Sequence, residues 1–322
     1  MNLNEAFDYW VDEVRRNPQS ATAWVFRGKC WRERGEHANA LKDFDEAIRL
    51  NPKDDGAYNN RGGTKLATKD YSGAMNDYTE SIRLNPKNHA SYNGRGVARD
   101  ISEDYEGAMK DYNEAILLNP SFAHAYLNRG ITKRTLKDPE GAMKDFNEAI
   151  RLHPSFAIAY SIRARTKKTL KDYEGALKDF NEAIRLNPLD HDLFFDRSLT
   201  KQKTHDYEGA MKDINEAIRL APQDSFNYSM RAQLLSTAND ATIRNGTSAL
   251  SDAKKAAELT NFKTRHSLSA LACAHAELGD FNAAVEWQQK ANALLDENTN
   301  EDVRNRYQKR LEAFQRNEPY RE

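Results

Sequence analysis

Residues Glu140–Ile150 read EGAMKDFNEAI, and this short string decides how the whole chain is to be read. It recurs as EGAMKDYNEAI from Glu106, EGALKDFNEAI from Glu174 and EGAMKDINEAI from Glu208, always 34 residues apart. Working outward, a proline follows the same interval: Pro18, Pro52, Pro86, Pro120, Pro154, Pro188 and Pro222. Asparagine precedes it in five of these seven cases, with His153 and Ala221 as the exceptions. Fixed-period self-similarity of this length marks a repeat architecture, and it overrides the two-domain expectation that 322 residues alone would suggest.

Counting each repeat from its first residue, starting at Ala21, gives a consistent frame. The fourth position is aromatic in seven repeats (Trp24, Tyr58, Tyr92, Tyr126, Tyr160, Phe194, Tyr228). The eighth is small (Gly28, Gly62, Gly96, Gly130, Ala164, Ser198, Ala232), and the twentieth is alanine (Ala40 to Ala210, then Ala249 after an insertion). The twenty-fourth is usually large, as in Phe44, Tyr78, Tyr112, Phe146, Phe180 and Ile214. Spacings of three and four put positions twenty, twenty-four and twenty-seven on one helix face, for example Ala142, Phe146 and Ala149. Small residues at the eighth and twentieth positions let two helices approach closely. Proline after the second helix cannot continue it and turns the chain.

This frame resembles the tetratricopeptide repeat (TPR) over residues 21–298. The resemblance implies an all-α fold: a right-handed superhelical solenoid of antiparallel helix pairs with terminal capping helices. It divides the chain into a half-repeat helix at 1–20, then repeats at 21–54, 55–88, 89–122, 123–156, 157–190 and 191–224. A seventh repeat at 225–264 carries an insertion around Ile243–Thr247, a degenerate eighth spans 265–298, and a capping helix occupies 299–322. One helix pair cannot bury its apolar face alone, so stability must come from stacking. Leu3, Phe7, Trp10 and Val14 form one stripe at the first end, and Val303, Tyr307, Leu311 and Phe314 form another at the last. Arg304, Lys309, Arg310 and Glu312 are expected on the solvated face of that last helix.

The seventh position is arginine (Arg27, Arg61, Arg95, Arg129, Arg163, Arg197, Arg231) in the same seven repeats in which the twenty-third is aspartate (Asp43, Asp77, Asp111, Asp145, Asp179, Asp213, Asp252). Both vanish together in the eighth repeat, at Leu271 and Trp287. Residues that appear and disappear jointly are expected to be charge partners, within a repeat or across to the next. Arg129 should therefore matter more to stability than Lys133.

Composition and motifs argue against chemistry. With 48 Lys+Arg against 49 Asp+Glu the net charge is −1, without the basic excess of a nucleic-acid or membrane-surface binder. No apolar run approaches membrane-spanning length, and MNLNEAFDYW is not a secretory signal, so a cytoplasmic protein is expected. Cys30 and Cys273 are too few and too far apart for a disulfide framework or a thiolate zinc site. Phosphate-binding glycine loops, a nucleophile elbow and H-E-x-x-H are all missing, and the eight histidines are scattered. No catalytic, cofactor or metal site is expected. Asn245-Gly246-Thr247 fits a glycosylation pattern but reads as a loop.

The resemblance further implies that first helices line a concave surface, faced by positions two, five, six, nine, twelve and thirteen. The second helices are nearly identical over repeats three to six, whereas the first helices differ, as a recognition face requires. The residues so placed are Asn59, Asn60, Asn93, Leu127, Asn128, Ile131, Arg134, Ile158, Ser161, Ile162, Arg165, Lys168, Phe195, Leu199 and Phe226, with His124, Lys203, Met230, Asp192 and Asp196 nearby. Amides suit an extended backbone. Arg134, Arg165 and Lys168 give repeats four and five a charge of +3 without an acid, so the expected partner is a protein or peptide segment with apolar anchors and acidic residues. The two-carboxylate clamp by which some family members hold chaperone tails is not matched: Val25 and Lys29 precede Asn60, and Ala90 and Gly94 follow it. A non-catalytic, monomeric interaction scaffold is the favoured expectation. The alternative is an architectural protein that self-assembles through the half-repeat around Trp10.

Overall fold

The computed structural model describes residues 2–321; positions 1 and 322, the outermost of the expected half-repeat and cap, lie outside it. Among the described residues every regular element is an α-helix. The chain divides into two compact units, 1–159 and 160–322, with the boundary inside one helix.

In the first unit, α1 (Leu3–Arg16) is followed by the pairs α2 (Ala21–Glu33) with α3 (His37–Leu50), α4 (Asp55–Ala67) with α5 (Tyr71–Leu84), α6 (His89–Ile101) with α7 (Tyr105–Leu118), and α8 (Ala123–Thr135) with α9 (Pro139–Leu152). Helix α10 (Ala157–Thr169) holds the unit boundary. The second unit continues with α11 (Tyr173–Leu186), α12 (His191–Lys203), α13 (Tyr207–Leu220), α14 (Ser225–Thr237), α15 (Gly246–Leu259), α16 (Arg265–Glu277), α17 (Phe281–Asn292) and α18 (Glu301–Gln315).

Local chemistry sets these boundaries. Asp70, Asp104, Asp138, Asp172 and Asp206 cap the second helices, each accepting from the backbone N–H of a glycine three residues on. A β-carbon on Gly141 would overlap the Asp138 carboxylate, which explains the glycine of the EGAM string. First helices other than α14 end on a left-handed residue, glycine at Gly35 (φ 79°) and Gly279 (φ 81°) but Lys69, Glu103, Lys137, Lys171 and His205 (φ 61–65°) elsewhere. Asn245, expected in a loop, instead caps α15 by accepting from the Ser248 N–H, and Gly246 and Thr247 open that helix. The loop before it is ordered: the Asn245 N–H donates to the Leu235 carbonyl at 2.8 Å, and Arg244 Nε reaches Glu277 Oε1 at 3.2 Å.

Four helix pairs close on a glycine against a ring. A β-carbon added at Gly130 would stand 2.6 Å from Phe146, and one at Gly96 would stand 2.7 Å from Tyr112. The pairs that lack this glycine differ in kind: Ala164 meets Phe180 in one core cluster, while Ala232 shares another with Ala253. The twentieth-position alanines of the second helices are fully buried, so the first and second helices approach closely there.

The arginine–aspartate partners lie within a repeat. Arg129 Nε donates to Asp145 Oδ2 at 2.9 Å and Nη2 to Oδ1 at 2.6 Å, and the other six pairs repeat this two-point geometry. The fourth-position ring lies beneath the guanidinium, 5.5 Å from its carbon at Tyr126. Arg129 Nη1 also reaches back to Asn113 Oδ1 of the preceding second helix at 2.7 Å. Lys133 shares this aspartate, which the sequence reading did not foresee: its ammonium sits 2.7 Å from Asp145 Oδ2, so two cations share one buried carboxylate. Lys65, Arg99, Lys167 and Lys201 do the same in their repeats.

Asp145→Ala strands both cations and should cost on the order of 3–5 kcal/mol in urea denaturation, whereas exposed Lys144→Ala should stay within about 0.5 kcal/mol of wild type. Equal losses would show that the pair does not carry the repeat. Lys137 adopts a conformation that glycine takes without strain, so Lys137→Gly should stabilise the chain by about 0.5–1 kcal/mol in the same assay.

Candidate partner-binding surfaces

In the first unit the expected recognition residues divide by burial. Leu127 (4% exposed) and Asn60 (8%) are packed inside, so they are not available to a partner. Asn60 spends its amide locally: Nδ2 donates to the Gly56 carbonyl at 2.7 Å, and Oδ1 accepts from Arg32 at 3.3 Å. The others form a row on the first helices. Asn59 Oδ1 accepts from Ser91 Oγ at 3.0 Å, and Asn128 Nδ2 donates to Asn93 Oδ1 at 3.0 Å. These bonds hold the side chains in place while using one of the four bonding positions of each amide. Ile131 and Arg134 are half-buried and Ile158 is exposed. Asp100, which sequence reasoning did not single out, accepts from Thr132 Oγ1 at 2.9 Å, and burial raises its pKa.

Three of the histidines are not scattered in space. His89, Phe122, His124, Phe156 and His153 pack ring to ring, with successive centroids 4.9, 5.5, 4.8 and 5.1 Å apart. Burial, with His153 adding to it, holds the His124 pKa below its ordinary value. At the start of the unit Trp10 stacks on Phe26 with centroids 4.6 Å apart, and Phe7 meets Trp31 edge-on at 4.5 Å. The half-repeat stripe is thus spent on α2.

In the second unit Ser161 and Ile162 are buried. The basic stretch is corrected by the geometry. Arg165 Nε donates to Asp196 Oδ2 at 2.6 Å, and Lys168 Nζ donates to Asp196 Oδ1 at 3.0 Å. The acid comes from α12, one first helix further on, so counting charge repeat by repeat missed it. Phe195 and Phe226 lie 5.1 Å apart, and Phe226 meets His266 edge-on at 4.9 Å. With Leu199 and Met230 they line an apolar cavity of about 230 Å³.

The far wall of that cavity is α18, through Val303, Arg306 and Tyr307. Arg310, expected on a solvated face, is instead 1% exposed. Its Nη1 donates to Ser269 Oγ at 2.8 Å and its Nη2 to Gln233 Oε1 at 3.2 Å. Beyond the helix, Arg321 Nη1 lies 2.7 Å from Glu277 Oε2 and donates to the Ser236 carbonyl at 2.9 Å. The last helix therefore packs on α17 as a cap and, through Tyr307, Arg310 and the following Arg321, also reaches the first helices α14 and α16. Nothing in its stripe of apolar residues specifies which surface it meets.

Family models described as tetratricopeptide repeats match residues 3–55, 55–88, 123–156, 157–188 and 264–293, and one described as TPR repeat matches 101–133. The chain belongs to the tetratricopeptide repeat family. A model described as anaphase-promoting complex subunit 5 matches residues 191–238 of this TPR chain. No curated protein matches it. Among solved structures it is similar to the Cut9–Hcn1 hetero-tetramer of APC/C, with TM-score 0.67 and 17% identity over 73% of this chain and 46% of that one. It thus spans less than half the length of that relative. Pseudomonas aeruginosa pilF gives TM-score 0.57 and 18% identity over 63% and 92% of the two chains. A tetratricopeptide repeat protein from Parabacteroides merdae gives 0.52 and 17% over 92% and 99%. These likenesses establish the fold. Among the described residues of this TPR chain, no helix is long and apolar enough to cross a membrane.

His266 carries a pH signature of the α18 contact. Burial lowers its pKa to about 4, with Arg265, Arg310 and Arg306 adding to the effect. The unfolded chain takes up this proton near pH 6.5, so the neutral imidazole stabilises the fold fully above pH 6.5 and progressively less down to about 4. His266→Gln should flatten that part of the stability-against-pH curve, measured as the difference from wild type between pH 7 and pH 4.5. Parallel curves would mean that the ring is not held neutral.

Proposed function

We propose that this TPR protein is a non-catalytic, monomeric scaffold whose first helices hold an extended peptide segment of a protein partner. One observation carries the reading: the ordered row of Asn59, Asn93 and Asn128 across α4, α6 and α8 in the first unit, whose members brace one another or a neighbour yet keep bonding positions for a ligand backbone. In the second unit the apolar side chains Phe195, Leu199 and Phe226 would supply an anchor pocket. Asp196 already takes Arg165 and Lys168, so acidic residues are a weaker requirement on the partner than charge counting suggested.

Selection of a random peptide-display library against wild type and Asn93→Ala/Asn128→Ala tests this. Peptides enriched by wild type should bind the double variant at least tenfold more weakly, while an unchanged melting temperature shows that the fold persists. Equal enrichment on both proteins, or none on either, would remove the amide row as the recognition surface.

A further inference from the structure

The surface beneath α18 does not have the composition of a permanent core. Gln233 on α14 and Ser269 on α16, both bonded to Arg310 of α18, are buried, as is Gln288 on α17, which accepts from Ser269 Oγ. A buried hydroxyl or amide left without a partner is costly, so polar groups at this depth need partners from whatever covers them. Here an arginine reaches into the layer and bonds Ser269 and Gln233. The seating is also incomplete. The Tyr307 hydroxyl is buried without a hydrogen-bond partner among the described residues, and the cavity of about 230 Å³ that Tyr307 lines stays open beside it. Such a surface tolerates water when it is uncovered. On α14 and α16 the apolar contact falls in two places, Tyr307 with Leu235, Leu268 and Leu271 and Phe314 with Ala272, Cys273 and Ala276, while α17 supplies Ala284 and Trp287 to these clusters.

We infer that α18 is a resident ligand of this surface, and that the surface binds a partner's amphipathic helix in its place. That helix would carry an aromatic residue, an arginine three residues on and a second aromatic four further, the spacing of Tyr307, Arg310 and Phe314. Both aromatics and the arginine then fall on one helix face. This rests on the scaffold reading and names a second partner class for it, a helix at α14–α16 in addition to an extended segment.

The test uses the full chain and, as probe, a fluorescent synthetic peptide with the sequence of residues 299–322. Arg310→Glu sets a carboxylate against Gln233 Oε1 and should unseat α18. The peptide should bind that variant at least tenfold more tightly than it binds wild type, where α18 competes. Native-state hydrogen exchange on wild type supplies a reading that needs no variant: amides of α18 should exchange through an opening that leaves α14 and α16 protected. Equal binding to both proteins, or no binding to a variant whose helical circular dichroism is intact, overturns the inference. So does exchange of α18 in step with α16, which decides the matter if Arg310→Glu does not fold. If the display library still enriches peptides sensitive to Asn93→Ala/Asn128→Ala, the scaffold reading survives that failure.

Discussion

In seven helix pairs one guanidinium joins the first helix to the second. It bonds both oxygens of a nearly buried aspartate, lies over an aromatic ring, and in most repeats extends a third donor to the preceding helix pair. Desolvating such a pair is expensive, and its net contribution depends on every donor being used. In five of the repeats the aspartate also takes a second cation, which uses more of its acceptor capacity. The pair fixes how far one helix can slide along the other, which apolar contacts alone do not. The glycine-to-ring contacts then set how closely they approach.

The eighth helix pair shows what happens without that device. Leu271 is buried in the position of the arginine, and Trp287 packs against the same core as its partner. Apolar contact replaces the charge pair, and α16 is buried along most of its length. This end of the chain is also where α18 lies over the first helices. Arg310 of α18 bonds Ser269 and Gln233 there, beside the apolar contact of Tyr307 with Leu235, Leu268 and Leu271.

A division of labour between helices follows from the same constraint. Second helices supply the aspartate, the alanines and the ring, so their sequence is held nearly constant. First helices owe the fold only the arginine, the small residue and the fourth-position aromatic. Their remaining positions vary, which is where the amide row of the first unit and the aromatic cavity of the second arise.

The sequence by itself determined the repeat, the helix pairing and the charge partners, because each is a local rule written many times over at a 34-residue period. It also placed Asn93 and Asn128, which meet because they sit near equivalent positions on successive first helices. The tertiary structure alone decided what happens where the period gives no information. It turned Leu127, Ser161 and Ile162 inward, brought Asp196 to Arg165 and Lys168, and gave Lys133 a share of Asp145. It also laid α18 over α14 and α16, with Arg310 inside. A periodic pattern specifies which face of a helix is apolar. Which neighbour that face meets, when the helix occurs once and has no counterpart to compare, depends on contacts between residues as far apart as Gln233 and Arg310.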